Sequence, residues 1–456
     1  MKKIISLTLA LIMLVSMMAF TLTGCNKGNG GNNGGNGGNN GGNNGGGDGS
    51  NLSGSITVWW PGGSTTTENA IRLAKEKYEA AHPGVTINIE FQGTADFYSS
   101  YTMALMGKNF PDVAYVDHVF VQRLAFDGLI ANQSELGLDS LKDQYIDSLW
   151  TPNLWNGSVY ALPMSANILA CTYNKGLLSK VYGREFTDAD LPSNWDEYIA
   201  IGAKIDEYNK ANNLTGNDKL YLTTVPAGTG AESMGAMYFL AYSARSGGTL
   251  MNDELTEMTL ATEENMAAAA KIKQLADLGY TPTTFSESKF ETGKVAFIEM
   301  GPWKILDYSR IDEADDTIEY GYAPVLSLTE GGDTSSTLGL YSLVITQKSK
   351  NQALAADFIK YVTTDTEIQL AHNTVQNLMP TTKVAIQNEY YTGATWSIFV
   401  NQLNNCVARP GSAAWPSIEQ YVAEYVTGLI NGTRNVDYIY ALQAALSEKL
   451  EDLEDE

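Results

Sequence analysis

The apolar positions of this chain change period several times, and each change marks an element. Residues 55–60, Ser-Ile-Thr-Val-Trp-Trp, form a β-branched apolar run that stops at Pro61-Gly62-Gly63, which predicts a strand closed by a turn. Thr65 followed by Glu68 has capping-box spacing, and Ile71, Ala74, Tyr78 and Ala81 then recur at helical intervals until Pro83-Gly84 breaks the pattern. Val85, Ile87, Ile89 and Phe91 alternate with Thr86, Asn88, Glu90 and Gln92, so this strand buries one face. A helix over 95–106 leads into a third strand at 112–116. The same reading gives strands at 168–173, 294–300 and 338–346 and helices at 194–211, 232–245, 351–363 and 436–453, with no fixed-period repeat.

Strands alternating with helices predict an α/β fold whose mostly parallel sheet is covered on both faces. Such sheets take ligands beyond the carboxyl ends of their strands. The informative residues are therefore those that follow each strand: Trp60 with Gly62 and Gly63, then Gln92, then Asp117 and His118.

Composition narrows the function. Lys and Arg number 29 against 52 Asp and Glu, a net charge of -23, which argues against nucleic acid, whose binding depends on neutralising phosphates with basic side chains. At the N-terminus, Lys2 and Lys3 precede an apolar run from Ile4 to Leu22 and the sequence Leu22-Thr23-Gly24-Cys25. Residues 28–50 are Gly and Asn apart from Asp48 and Ser50, a tether of roughly 25–30 Å root-mean-square span. Cys171 and Cys406 each sit among apolar neighbours, as buried free thiols or as one disulfide.

Several segments together resemble the bacterial extracellular solute-binding proteins, the family that includes the maltodextrin binder. They are ITVWW, HPGVTINIEFQG, FPDVAYVD, DGLI, YALPMSANILACTYNK, GKVAFIEMGPW, AADFIKYVT and ARPGSAAWP, in the family's order from about residue 55 to 427. The start of the chain resembles a lipoprotein signal, which implies cleavage before Cys25 and a lipid on its sulfur. Acyl chains contribute about 0.8 kcal/mol per buried CH₂ to membrane attachment.

The resemblance implies a type II, two-lobed fold with three crossings, near Ser165 to Ile168, Glu319 to Gly321 and Lys348 to Asn351. On that basis residues 54–166 and 319–348 form the N-terminal lobe, and 167–318 and 349–456 the C-terminal lobe. It also implies a monomer with no cofactor and no metal. That monomer takes a small solute, most simply a sugar, into the interlobe cleft and presents it to the permease of an ABC transporter.

A sugar offers apolar C–H faces and a rim of hydroxyls, so its site needs aromatic platforms and fixed polar groups. Trp303, in Met300-Gly301-Pro302-Trp303, matches a family position where a ring stacks on sugar; Trp60 is either a second platform or core, and Trp59 is expected in the core on the opposite face. Asn167 stands at the first crossing, where the maltodextrin binder has a glutamate. Asp117, His118, Glu232, Tyr341, Arg409, Trp415 and Gln92 complete the candidates, each with a structural alternative as cap, core residue or solvated loop group.

Two other functions remain open on the residues. A polyamine or other cation would want converging carboxylates. A hydrolase would want catalytic constellations, but the chain has no GxSxG or HExxH motif and His82, His118 and His372 are dispersed.

Overall fold

The computed structural model describes residues 52–454 apart from 64, 94–96, 229–231 and 316. The leader, Cys25 and the Gly/Asn tether lie outside the described residues, and so does the side chain of Glu232. The strands of the two main sheets are β1 (Gly54–Pro61), β2 (Val85–Gln92), β3 (Val113–Asp117), β4 (Ala161–Ile168), β5 (Ala170–Asn174), β6 (Tyr221–Thr223), β7 (Val295–Met300), β8 (Tyr320–Ala323), β9 (Ser336–Ile345) and β10 (Cys406–Val407), and Leu154–Trp155 and Ser158–Val159 form a small hairpin apart from them. The helices that position the site are α1 (Thr65–Ala81), α2 (Phe97–Met106), α3 (Trp195–Ala211), α4 (Glu232–Arg245), α5 (Glu263–Asp277), α6 (Gln352–Thr364), α7 (Thr366–Gln376), α8 (Ala394–Gln402), α9 (Trp415–Asn431) and α10 (Tyr438–Glu454). Among the described residues no helix is long and apolar enough to cross a membrane.

Two sheets organise the molecule. The first runs β10-β9-β3-β1-β2, with β4 also paired to β9; β1 is parallel to β2 and β3, while β9 is antiparallel to β3 and β4. The second runs β8-β5-β7-β6, and here β5 is antiparallel to both neighbours, so parallel pairing is confined to β6 and β7. A short β4–β5 step through Leu169 makes this difference: a strand that enters from the first sheet lies against β7 in the opposite sense. Helix starts follow side-chain chemistry, with Asn194, Thr262 and Asp365 accepting backbone N–H bonds at the N-termini of α3, α5 and α7.

The cores correct the expected lobe boundaries. Leu354, Phe358, Ile359 and Val362 of α6 and Ile368 of α7 pack with Ile56, Val58 and Ile87, so 349–376 belongs with the first sheet and not with the second. Residues 320–323 form β8 of the second sheet, so the chain passes to the first sheet only between Ala323 and Ser336. The last return comes after β10, when α9 enters the core built by α3, α4, α5 and α10. A separate cluster holding Ile168, Leu338, Leu340, Trp396 and Phe399 packs α8 behind these crossings. Cys171 and Cys406 are free thiols, and burial pushes both pKa values up.

Candidate ligand-binding cleft

A cavity of about 700 Å³ opens where the carboxyl ends of β1 and β3 meet β4, β9 and the start of α4. That volume lies within the range of small-molecule sites. Alternation along β3 and β9 turns Tyr115 and Tyr341 to the cavity, where their rings stack at 5.3 Å and 18°. Beside them Tyr98 of α2 stacks on Phe120 at 3.8 Å and 11°, and Phe97 completes this aromatic wall.

Trp303 faces them from the second lobe, half-buried in the turn after β7. Its indole lies flat on Gly301, where a side-chain carbon would collide with the ring. The Gly301-Pro302 pair therefore aims the ring. Asn167 in β4 sits opposite Gly339 in β9, and the absence of a side chain there lets the amide lie across the strand into the cavity.

Charge enters at one point. Arg409, 5% exposed, donates from Nη2 to Asp117 Oδ1 at 2.7 Å, and its Nη1 lies 3.8 Å from Glu419 of α9. Glu419 also accepts from Ser233 Oγ at the start of α4, 2.8 Å away. Burial alone would raise the Asp117 pKa, but Arg409 and His118 hold it down at about 2, so the carboxylate is charged. Burial dominates at Glu419 and pushes its pKa up.

Several candidates do not face the cavity. Trp60 is 1% exposed in the first core, 4.9 Å from the Tyr115 ring and 5.0 Å from His372. Because Ile56 and Val58 mark the inner face of β1, its alternation places Trp60 inside and leaves Trp59 half-buried, donating to Glu90 at 2.8 Å. Of the two readings open for Trp60 the packing is that of the core, and Trp59, on the opposite face, is only partly buried against a separate cluster. Trp415 is fully buried in the core of the second lobe. His118 is buried, with Nδ1 3.0 Å from the Leu340 carbonyl and 3.1 Å from Asp117; burial and Arg409 lower its pKa, so it serves the fold as a neutral ring. Gln92 ends β2 away from the cavity wall. Glu232 begins α4, and its side chain lies outside the described residues.

Asp117, Asn167, Trp303, Tyr341 and Arg409 are brought together, joined by residues the sequence reading passed over: Phe97, Tyr98, Tyr115, Phe120, Ser233 and Gln376. Phe120 follows the singled-out Asp117-His118 pair, and Tyr98 lies on an expected helix. Nothing local marks Gln376; its Nε2 sits 2.9 Å from His372 Nε2 at the end of α7.

Two sheets linked by three crossings, with one cleft between them, define a type II binding-protein fold. The sequence profile described as bacterial extracellular solute-binding protein matches residues 63–368, and the chain belongs to that family. The maltooligosaccharide ABC transporter solute-binding lipoprotein of Streptococcus pneumoniae is 21% identical over 82% of this chain and 84% of its own length. The galactooligosaccharide-binding protein of Bacillus subtilis is 24% identical over 48% of each chain. Among solved structures, the cyclic alpha-maltosyl-1,6-maltose binding protein of Arthrobacter globiformis superposes with a TM-score of 0.75 at 22% identity, covering 88% of this chain and all of that one. UgpB of Mycobacterium tuberculosis, in complex with glycerophosphocholine, gives 0.70 at 17% identity over 89% and 99%.

Proposed function

We propose that this protein captures a mono- or oligosaccharide in the interlobe cleft and hands it to the permease of an ABC importer without making or breaking a bond. The observation that carries the reading is the pairing of walls: Trp303 on one side, the Tyr115–Tyr341 stack on the other, and the Asn167 amide between. Flat rings match the C–H faces of a pyranose, and the amide both donates to and accepts from hydroxyls. A ligand touching both walls favours the closed arrangement. On the packing above, 54–168 with 336–376 and 170–323 with 415–454 are the bodies that move, and 377–414 lies at the hinge.

Calorimetry and thermal shift with maltotriose and galactooligosaccharides test the reading. A ligand at 100 times its dissociation constant stabilises by about 2.7 kcal/mol, and chromatography should recover the sugar intact. No shift with any sugar, or cleavage of one, would overturn it. A cationic solute has Asp117 among aromatic rings in its favour, but Arg409 already occupies that carboxylate.

The Leu22-Thr23-Gly24-Cys25 sequence supports attachment to the cell membrane through a lipid on Cys25. Cys25→Ser should move the protein from the membrane fraction to the medium, as read by immunoblot; an unchanged membrane fraction would sink the anchor.

A further inference from the structure

We propose that the cleft selects uncharged solutes against anions, because Asp117 and Glu419 hold its cation, Arg409, from opposite walls. The inference deepens the reading of the cleft as a solute site and does not depend on which solute enters. Arg409 is the cationic side chain among the described residues lining the cavity. A free guanidinium there would be a fork for a carboxylate, sulfate or phosphate group. Here one arm of that fork is bonded and its charge is balanced by carboxylates on two sides, although Nε has no hydrogen-bond partner. Asp117, at the end of β3, accepts from Nη2 at 2.7 Å, and Glu419, on α9, lies 3.8 Å from Nη1.

The neighbours reinforce the assignment. His118 places Nδ1 3.4 Å from Arg409 Nη2 and is neutral, so it adds no positive charge. Lys304, next to Trp303, is held by Glu287, Glu291 and Asp307 and is not offered to the cleft. At long range the net charge of -23 repels anions as well. An anion entering beside Arg409 would compete with Asp117 for the cation and meet the charge of that carboxylate, whereas a neutral polyol can share the existing hydrogen bonds.

The experiment uses inorganic sulfate as probe on the mature protein, with binding read by arginine side-chain NMR at Arg409 and by thermal shift. Wild type should show no saturable binding. Asp117→Asn, which keeps the shape and removes the charge, should gain saturable binding at least tenfold tighter than the weakest affinity detectable in the wild-type titration, and Glu419→Gln a smaller gain in keeping with the longer contact. Adding Arg409→Gln to Asp117→Asn should abolish it. Asp117→Ser serves if the Asn variant fails to fold. Saturable sulfate binding at Arg409 in wild type, or none in the Asp117 variants, would overturn the proposal. Maltotriose in parallel keeps the two readings apart: its failure to bind bears on the sugar, and the sulfate result on the charge arrangement.

Discussion

The two walls of the cleft are built differently. The first is a laminate in which Trp60 and His372 back Tyr115, Tyr115 backs Tyr341, and all four are held by strand pairing or core packing. The second presents Trp303 from a turn, seated on Gly301, with Ser233 and Met237 from the first turns of α4. A binding surface needs rings whose position is set before the ligand arrives. Strands supply that on one side by accumulated packing, and a glycine seat supplies it on the other. Loss of the ring that backs the first wall should therefore act on stability, and loss of the ring that forms the second on affinity.

The contrast is greatest between two tryptophans. Trp60→Ala removes a ring from a closed core and should cost about 3–5 kcal/mol of folding stability, measured by urea denaturation. Trp303→Ala leaves a half-exposed turn and should change stability little, while sugar affinity falls by about 2 kcal/mol, roughly thirtyfold, by calorimetry. Undiminished affinity would remove Trp303 from the site. If Trp60→Ala proved stable and Trp303→Ala unfolded, the two walls would have been assigned the wrong way round.

Gly339→Ala acts on the seam between the walls. The added carbon meets the Asn167 amide, and overpacking of this kind costs about 1–3 kcal/mol. The expected outcome is an affinity loss of about tenfold together with a modest fall in the urea midpoint. Full affinity would mean that the amide does not need its place across β9.

How much of this was legible in the sequence follows from where each residue sits. Trp303 stands out because Met-Gly-Pro-Trp after an apolar strand matches a family position where a ring stacks on sugar, with the Gly-Pro pair fixing the turn that aims it. Trp60 was legible too, through its shared parity with Ile56 and Val58, but position after a strand suggested contact where alternation says core. Strand β4 was hidden by Pro163, which reads as a breaker; it is tolerated because the β9 register shifts between Tyr341 and Ser342 beside it, where proline's missing N–H costs least. The Arg409–Asp117 bond joins residues 292 apart in the chain, and no local pattern carries such a pairing; Gln376 pairs with His372 one helical turn away, but only the folded position of α7 brings it to the cavity.

Acid titration gives the smallest effects and separates the two buried histidine neighbourhoods. Burial lowers His372 from about 6.5 to about 3, so between those values the unfolded chain binds the proton and the folded chain does not. Stability therefore declines as pH falls from about 6.5 towards 3, and His372→Gln should flatten that part of the profile. The Asp117 shift has the same direction in a lower window: its folded pKa of about 2 lies below the unfolded value of about 3.9. Its contribution is fully present above about 4 and is lost as pH falls through 2, so wild type and Asp117→Asn should converge only in that lower window. Urea midpoints measured from pH 7 to pH 2 would show the two windows one after the other. A single window common to both variants would mean that the histidine under the floor and the carboxylate at the bridge titrate as one unit, and the distinction between packed wall and charged seam would fail.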